Sequence, residues 1–230
     1  MLLPLAGRPM LDYLLDRVRE VEELDGIHLV TNSRFAPIFA DWAPEDVIVH
    51  DDGTTSNDDR LGAIGDMRFT VEGAGLQGEE VLVVAGDNLI GYSVPDFVTF
   101  WRQKGGSALS LYHCPDPELI KLYGVVELDE DHRIVSFEEK PAEPRSDLAA
   151  TAAYLYSPEH LALLDEYLAE GNSPDAPGNF AAWLCQREPV YGYRFSGEWL
   201  DIGDHEQLLE ADGRMRERAG LPRRAAYTPD

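Results

Sequence analysis

Residues Val81-Leu82-Val83-Val84-Ala85 form an unbroken apolar run that stops at Gly86-Asp87-Asn88. On a sheet with one wet face, alternate side chains point to water, so five apolar residues in succession do not suit it. They suit a strand buried on both faces, the kind found in a parallel sheet covered by helices. The neighbouring segments agree with that frame. Met10, Leu11, Leu14, Leu15, Val18 and Val21 recur at helical spacing and predict an amphipathic helix over 9–24. Short apolar runs predict strands at 27–31, 47–50, 108–112, 123–128, 134–137, 152–156 and 190–195. Helical spacing predicts helices at 35–42, 61–71, 95–104, 158–169, 180–186 and 204–218. Strands alternating with helices specify an α/β fold with a mostly parallel, Rossmann-like sheet flanked by helices.

A chain of 230 residues with 44% hydrophobic content is long enough for one sizeable core and too apolar for disorder. We expect a single domain over 1–220 and a flexible tail over 221–230, where periodicity ends. No apolar run reaches the roughly 18 residues of a membrane span. Met1 to Leu5 has neither a basic lead nor a long apolar region, so a secretory signal is not expected. Cys114 and Cys185 make neither a disulfide framework nor a metal pattern, which fits a reducing, cytoplasmic compartment. The formal charge of −24, with only three lysines, Lys104, Lys121 and Lys140, argues against binding a nucleic-acid backbone. An anionic substrate would need a local positive group or a bound cation here.

Four segments carry candidate chemistry. Asp87 follows the buried strand, and ligands of open α/β sheets bind beyond the carboxyl ends of strands. A carboxylate there either caps its turn or holds Mg²⁺ against phosphate oxygens. Trp199-Leu200-Asp201-Ile202-Gly203 repeats the shape, and Asp201 either supports the helix that begins near Asp204 or is a second metal ligand. In Glu138-Glu139-Lys140-Pro141 the lysine can meet a phosphate as a point charge and Glu139 can accept from sugar hydroxyls. A solvated charge run is the plainer reading of that tetrapeptide. Tyr123-Gly124-Val125-Val126 lies between them.

In this order and spacing, Gly86-Asp87-Asn88, Tyr123-Gly124-Val125-Val126, Phe137 to Pro141 and Trp199 to Gly203 resemble the sugar-1-phosphate nucleotidyltransferases. The likeness is to the glucose-1-phosphate thymidylyltransferase and mannose-1-phosphate guanylyltransferase types, of nucleotide-diphospho-sugar transferase fold, and runs to about Ala211. It implies formation of an NDP-sugar and pyrophosphate from a nucleoside triphosphate and a sugar-1-phosphate. It also implies Asp87 and Asp201 as Mg²⁺ ligands and Lys140 on the sugar phosphate. Tyr123, Gly124, Glu139 and Trp199 would surround the sugar. The loop from Thr54 to Arg60, with Thr55 and Asn57, and Gly62 beyond it, would lie near the base.

Leu3-Pro4-Leu5-Ala6-Gly7-Arg8-Pro9-Met10 is similar to the segment just after that family's signature loop, G-x-G-T-R-L-x-P-x-T followed by Pro-Lys. The loop and the strand before it are not in this sequence. The resemblance therefore implies a missing first strand and two unpaired strand edges, which invite pairing with another chain or a homo-oligomer. It leaves two further readings: a non-catalytic sugar-phosphate or nucleotide binding protein, and a fragment completed by a partner chain. Ala152 stands where the family often has glycine, and its methyl would narrow the sugar pocket.

Overall fold

A computed structural model of the chain describes residues 1–229. The chain opens with a hairpin of β1 (Pro4–Leu5) and β2 (Arg8–Pro9), turned at Ala6 and Gly7, both at positive φ. Then come α1 (Met10–Val18), β3 (Ile27–Thr31), α2 (Ala36–Trp42), β4 (Val47–Asp51), α3 (Ala63–Gly73), β5 (Val81–Val84) and β6 (Asn88–Ile90). These are followed by α4 (Val94–Lys104), β7 (Ser107–His113), β8 (Gly124–Leu128), β9 (Ile134–Glu139) and β10 (Leu148–Tyr156). The last elements are α5 (Pro158–Leu161), α6 (Leu164–Ala169), α7 (Pro177–Cys185), β11 (Val190–Arg194), β12 (Trp199–Asp201) and α8 (His205–Arg218).

The α/β class and a central sheet flanked by helices are what the sequence specifies. The sheet runs β11-β7-β10-β8-β9, with β5 also on β10. Strand β10 is its hub. It runs antiparallel to β7 on one side; on the other it pairs first with β8 at Ala149 and then with β5 from Ala153 to Tyr156. The change of partner falls at a bulge between Ala150 and Tyr154, where Ala152 takes φ +52 and its carbonyl accepts from Ala85 N at 3.0 Å. Parallel pairing is found in β3–β4 and β7–β11, so the expectation of a mostly parallel sheet is corrected on strand direction. A continuous apolar run says nothing of direction: β5 pairs antiparallel with β10, and its four residues, expected to be buried on both faces, are half-buried between the two apolar layers.

Alternate residues of β10 face two apolar layers, as the pleat requires. Tyr154 and Tyr156 pack with Ile64 of α3 and with Phe180 and Leu184 of α7. Ala153 and Leu155 pack with Leu11 and Leu14 of α1 and with Phe97 and Trp101 of α4. Helix α1 stops at Val18, short of the predicted end, because Glu20, Glu22 and Glu23 do not continue its buried stripe of Met10, Leu11, Leu14 and Leu15. Among the described residues β5 has a strand partner only in β10 and β3 only in β4, so each has one free edge.

Helix α8 starts with a reciprocal capping box between Asp204 and Gln207. The segment after it, expected to be a flexible tail, runs back along α8. Arg223 pairs with Glu210 and Glu217, and the Tyr227 hydroxyl donates to Pro4 O at 2.8 Å.

Candidate active site

Two short strands invisible to sequence periodicity bring the site together. After β5 the chain turns through Ala85, Gly86 and Asp87, with Asn88 N donating to Ala85 O at 3.3 Å, and enters β6. Strand β12 pairs antiparallel with β6 in the register Trp199 to Ile90, Leu200 to Leu89 and Asp201 to Asn88. Ile202 N donates to Asp87 O at 3.0 Å and closes the ladder. Asp87 and Asp201, far apart in sequence, therefore end on adjacent strands at one edge of the crevice.

Their electrostatics follow from that placement. The Asp201 carboxyl is pushed up to about 6, first by burial and then by the negative charge of Asp87, with Lys140 opposing. Burial and a neighbouring negative charge both penalise an ionised Asp201, and a bound cation would offset both. Among the described residues no group of three or more His, Cys, Asp and Glu side chains could enclose a metal. A pair of carboxylates suits Mg²⁺, which typically keeps waters and takes its other oxygens from substrate phosphates. The chain's amino group also lies beside Asp87; burial lowers its pKa, and the Asp87 charge works the other way. The Met1 sulfur sits 2.8 Å from where a Cβ on Gly86 would stand.

Lys140 directly follows β9, with φ +49 and its N–H donated to Tyr123 O at 3.1 Å. Its ammonium influences both Asp201 and Glu139. Glu139 opposes Gly124 across the β8–β9 ladder. Burial raises its carboxyl, and Lys140 counters. Two glycines make room for it: a Cβ on Gly124 would meet Glu139 Oε2 at 3.0 Å and Phe137 Cζ at 2.7 Å, and a Cβ on Gly178, in the first turn of α7, would collide with Glu139 Oε2. Tyr123 stands edge-on to Trp199, ring centres 4.8 Å apart. Its phenol is pushed up to about 12 by burial and then by Asp201.

Asp87, Asp201, Lys140, Tyr123, Gly124, Glu139 and Trp199 thus come together. The residues assigned near the base lie on the segment between β4 and α3. Thr55 donates through both its N–H and its hydroxyl to Asp59, which is held down to about 2 chiefly by backbone donors of Ser56 and Thr55. Asn57 is exposed on the same loop. Gly62 has φ +80, and a Cβ there would stand 2.6 Å from Pro174 O. The close backbone approach it permits is to Pro174, whose carbonyl takes the Ile64 N–H at 2.9 Å. Sequence reading missed two members of the site. Gly178 gave no signal beyond a Pro-Gly pair. Asn88 was visible as the third residue of Gly-Asp-Asn, and its side chain bonds to both Asp87 and Trp199. A separate cleft of about 350 Å³ bordered by Cys114, Lys121 and Asp147 contains none of these carboxylates.

The sequence model of the nucleotidyl transferase family matches residues 1–218. A glucose-1-phosphate adenylyltransferase of Clostridium acetobutylicum is 30% identical over 138 residues, 58% of this chain and 36% of that protein. The match thus spans about a third of the relative's length. The fold is similar to that of a protein assigned as a glucose-1-phosphate thymidylyltransferase from Bacillus anthracis, solved in complex with a sucrose. There the TM-score is 0.74 and the identity 22%, over 94% of this chain and 86% of that one. It is also similar to a UDP-glucose pyrophosphorylase complexed with UDP-glucose, with a TM-score of 0.76 and 17% identity over 94% of this chain and 90% of that one. No helix among the described residues is long and apolar enough to cross a membrane.

Proposed function

The chain belongs to the nucleotidyl transferase family, and we propose that it makes an NDP-sugar and pyrophosphate from a nucleoside triphosphate and a sugar-1-phosphate. The observation that carries this reading is the pairing of β6 with β12, which sets Asp87 and Asp201 together within reach of the Lys140 charge. Glucose-1-phosphate is the first sugar phosphate to test, because the relatives' names include it.

In the reaction an oxygen of the sugar phosphate attacks the α-phosphorus of the triphosphate. That bond forms as the bond from the α-phosphorus to the bridging oxygen breaks, and pyrophosphate leaves with the electron pair. The chemistry needs in-line positioning and charge neutralisation more than an acid–base side chain. Asp87 and Asp201 would hold Mg²⁺, which supplies positive charge for the reacting phosphates when bound. Lys140 meets the phosphate of the sugar-1-phosphate as a point charge. Glu139 accepts from sugar hydroxyls in the space left by Gly124 and Gly178. Tyr123 and Trp199 wall the sugar and exclude water. The Thr55–Asn57 loop and Gly62 lie toward the base. We place the protein in the cytoplasm, in keeping with two free cysteines.

The test is pyrophosphate release from a panel of nucleoside triphosphates with glucose-1-phosphate and Mg²⁺, and metal-dependent triphosphate binding by calorimetry. Asp87→Asn and Asp201→Asn should each weaken that binding without unfolding the protein. Unchanged binding in both variants rejects the metal assignment. Sugar-phosphate binding without pyrophosphate release supports a binding protein instead.

A further inference from the structure

Asn88 is 2% exposed and sits between two functional side chains. Its Nδ2 donates to Asp87 Oδ1 at 2.8 Å, and its Oδ1 accepts from Trp199 Nε1 at 2.5 Å. An indole nitrogen can only donate, whereas a carboxamide has one accepting end and one donating end. The Trp199 N–H therefore fixes the amide with its oxygen toward the ring, and the NH₂ must point at Asp87. Trp199 is itself 8% exposed, so little water is at hand to replace the amide as its acceptor. The amide occupies Oδ1 of Asp87, which leaves the lone pairs of Oδ2 for another ligand. The same residue's backbone pairs with Asp201 in the β6–β12 ladder. One side chain thus sets the rotation of the first carboxylate while its main chain sets the position of the second.

We infer that Asn88 is a positioning residue for Asp87 and that Trp199, through its indole N–H, holds Asn88 in the working orientation. The inference rests on the reading of Asp87 as a cation ligand. Residues that orient metal ligands typically change metal affinity by about 10–100-fold when removed. An aspartate at 88 could still accept from the indole but would set a third negative charge beside Asp87. A leucine would leave the buried indole N–H of Trp199 unsatisfied.

The experiment titrates the full chain with Mn²⁺ alone and follows the free-ion signal by electron paramagnetic resonance, with thermal unfolding of each metal-free protein as the folding control. Asn88→Ala should weaken Mn²⁺ binding by about tenfold or more. Trp199→Phe keeps the ring and removes only the donor, so it should weaken binding in the same direction by severalfold. In the double variant Trp199→Phe should add almost nothing to Asn88→Ala, since the amide through which it acts is gone. A merely structural tryptophan would add its full effect, and that result overturns the inference. So does wild-type affinity in both single variants while Asp87→Asn loses binding. Unchanged Mn²⁺ affinity in Asp87→Asn removes the cation reading itself, and the inference with it. If Asn88→Ala fails to fold, Trp199→Phe decides alone: wild-type affinity overturns the inference and severalfold weaker binding supports it.

Discussion

Glu139 and Gly178 share a space that only a hydrogen leaves open: a Cβ on Gly178 would overlap Oε2 of the Glu139 carboxylate. The contact joins β9, which carries Glu139, to the first turn of α7. Elsewhere in a helix Gly→Ala usually stabilises by about 0.5–1 kcal/mol. Here the methyl must displace the carboxylate assigned to the sugar hydroxyls. Gly178→Ala should leave the protein folded and weaken sugar-1-phosphate binding by about tenfold, roughly 1.4 kcal/mol. Nucleotide binding should change little. Calorimetry with each ligand separately checks the split, and equal loss for both ligands would point to general distortion of α7.

Lys140 is exposed, and no ion pair or side-chain hydrogen bond ties its ammonium to a partner among the described residues. Its removal should therefore cost little stability, within about 0.5 kcal/mol. Lys140→Ala should weaken sugar-1-phosphate binding by about tenfold or more, since a hydrogen bond to a charged group contributes roughly 1.5–3 kcal/mol. Its positive φ adds a control: Lys140→Gly removes the charge while relieving the backbone. Both variants should lose the same affinity if the charge matters, and thermal unfolding should separate them only in stability.

Ala152 sits at φ +52 where β10 changes partners from β8 to β5. An L-residue in this region carries about 1–2 kcal/mol of strain, part of which glycine would return as unfolded-chain entropy. Ala152→Gly should stabilise the protein by up to about 1 kcal/mol, or roughly 2–4 °C in Tm for a chain of this size. If its methyl narrows the sugar pocket, the variant should also accept bulkier sugar phosphates. A fall in Tm would show that the bulge depends on packing of the methyl.

The parts of the molecule that repeat were legible. The stripe from Met10 to Leu15 gave α1, and the run at 81–85 gave β5 and the carboxylate after it. The order of Asp87, Glu139, Lys140 and Asp201, read through resemblance, named residues that the fold brings near one another. What stayed hidden was non-local. Strands β6 and β12 have three residues each, too short for a period to show, and exist because they pair with each other. The antiparallel direction of β5 depends on β10, nearly 70 residues later, and an apolar run does not encode it. Gly62 has the positive φ that a glycine permits, but its close neighbour is Pro174. Gly178 could not be singled out because its meaning lies wholly in the Glu139 carboxylate across the fold.

Asp66, in the first turn of α3, is pushed up to about 6 by burial, then by the charge of Asp52 and by a hydrogen bond to Asp52 that needs the proton. Its Oδ1 is buried without a hydrogen-bond partner. An ordinary aspartate titrates near 3.9, so between about pH 4 and 6 the folded chain holds a proton that the unfolded chain has released. Stability falls with rising pH wherever the folded state binds more protons. The Asp66 contribution is thus fully present below about pH 4, is lost as pH rises through about 6, and is flat above that. Asp201 titrates in the same window, so the measurement should be a difference between variant and wild type. Asp66→Asn mimics the protonated form and can still donate to Asp52. It should raise Tm at pH 7.5 by roughly 2–4 °C, about 1 kcal/mol after discounting for solvent screening. Near pH 4.5 the two proteins should melt together. A difference that stays constant from pH 4.5 to 7.5 would mean that Asp66 is not the titrating group.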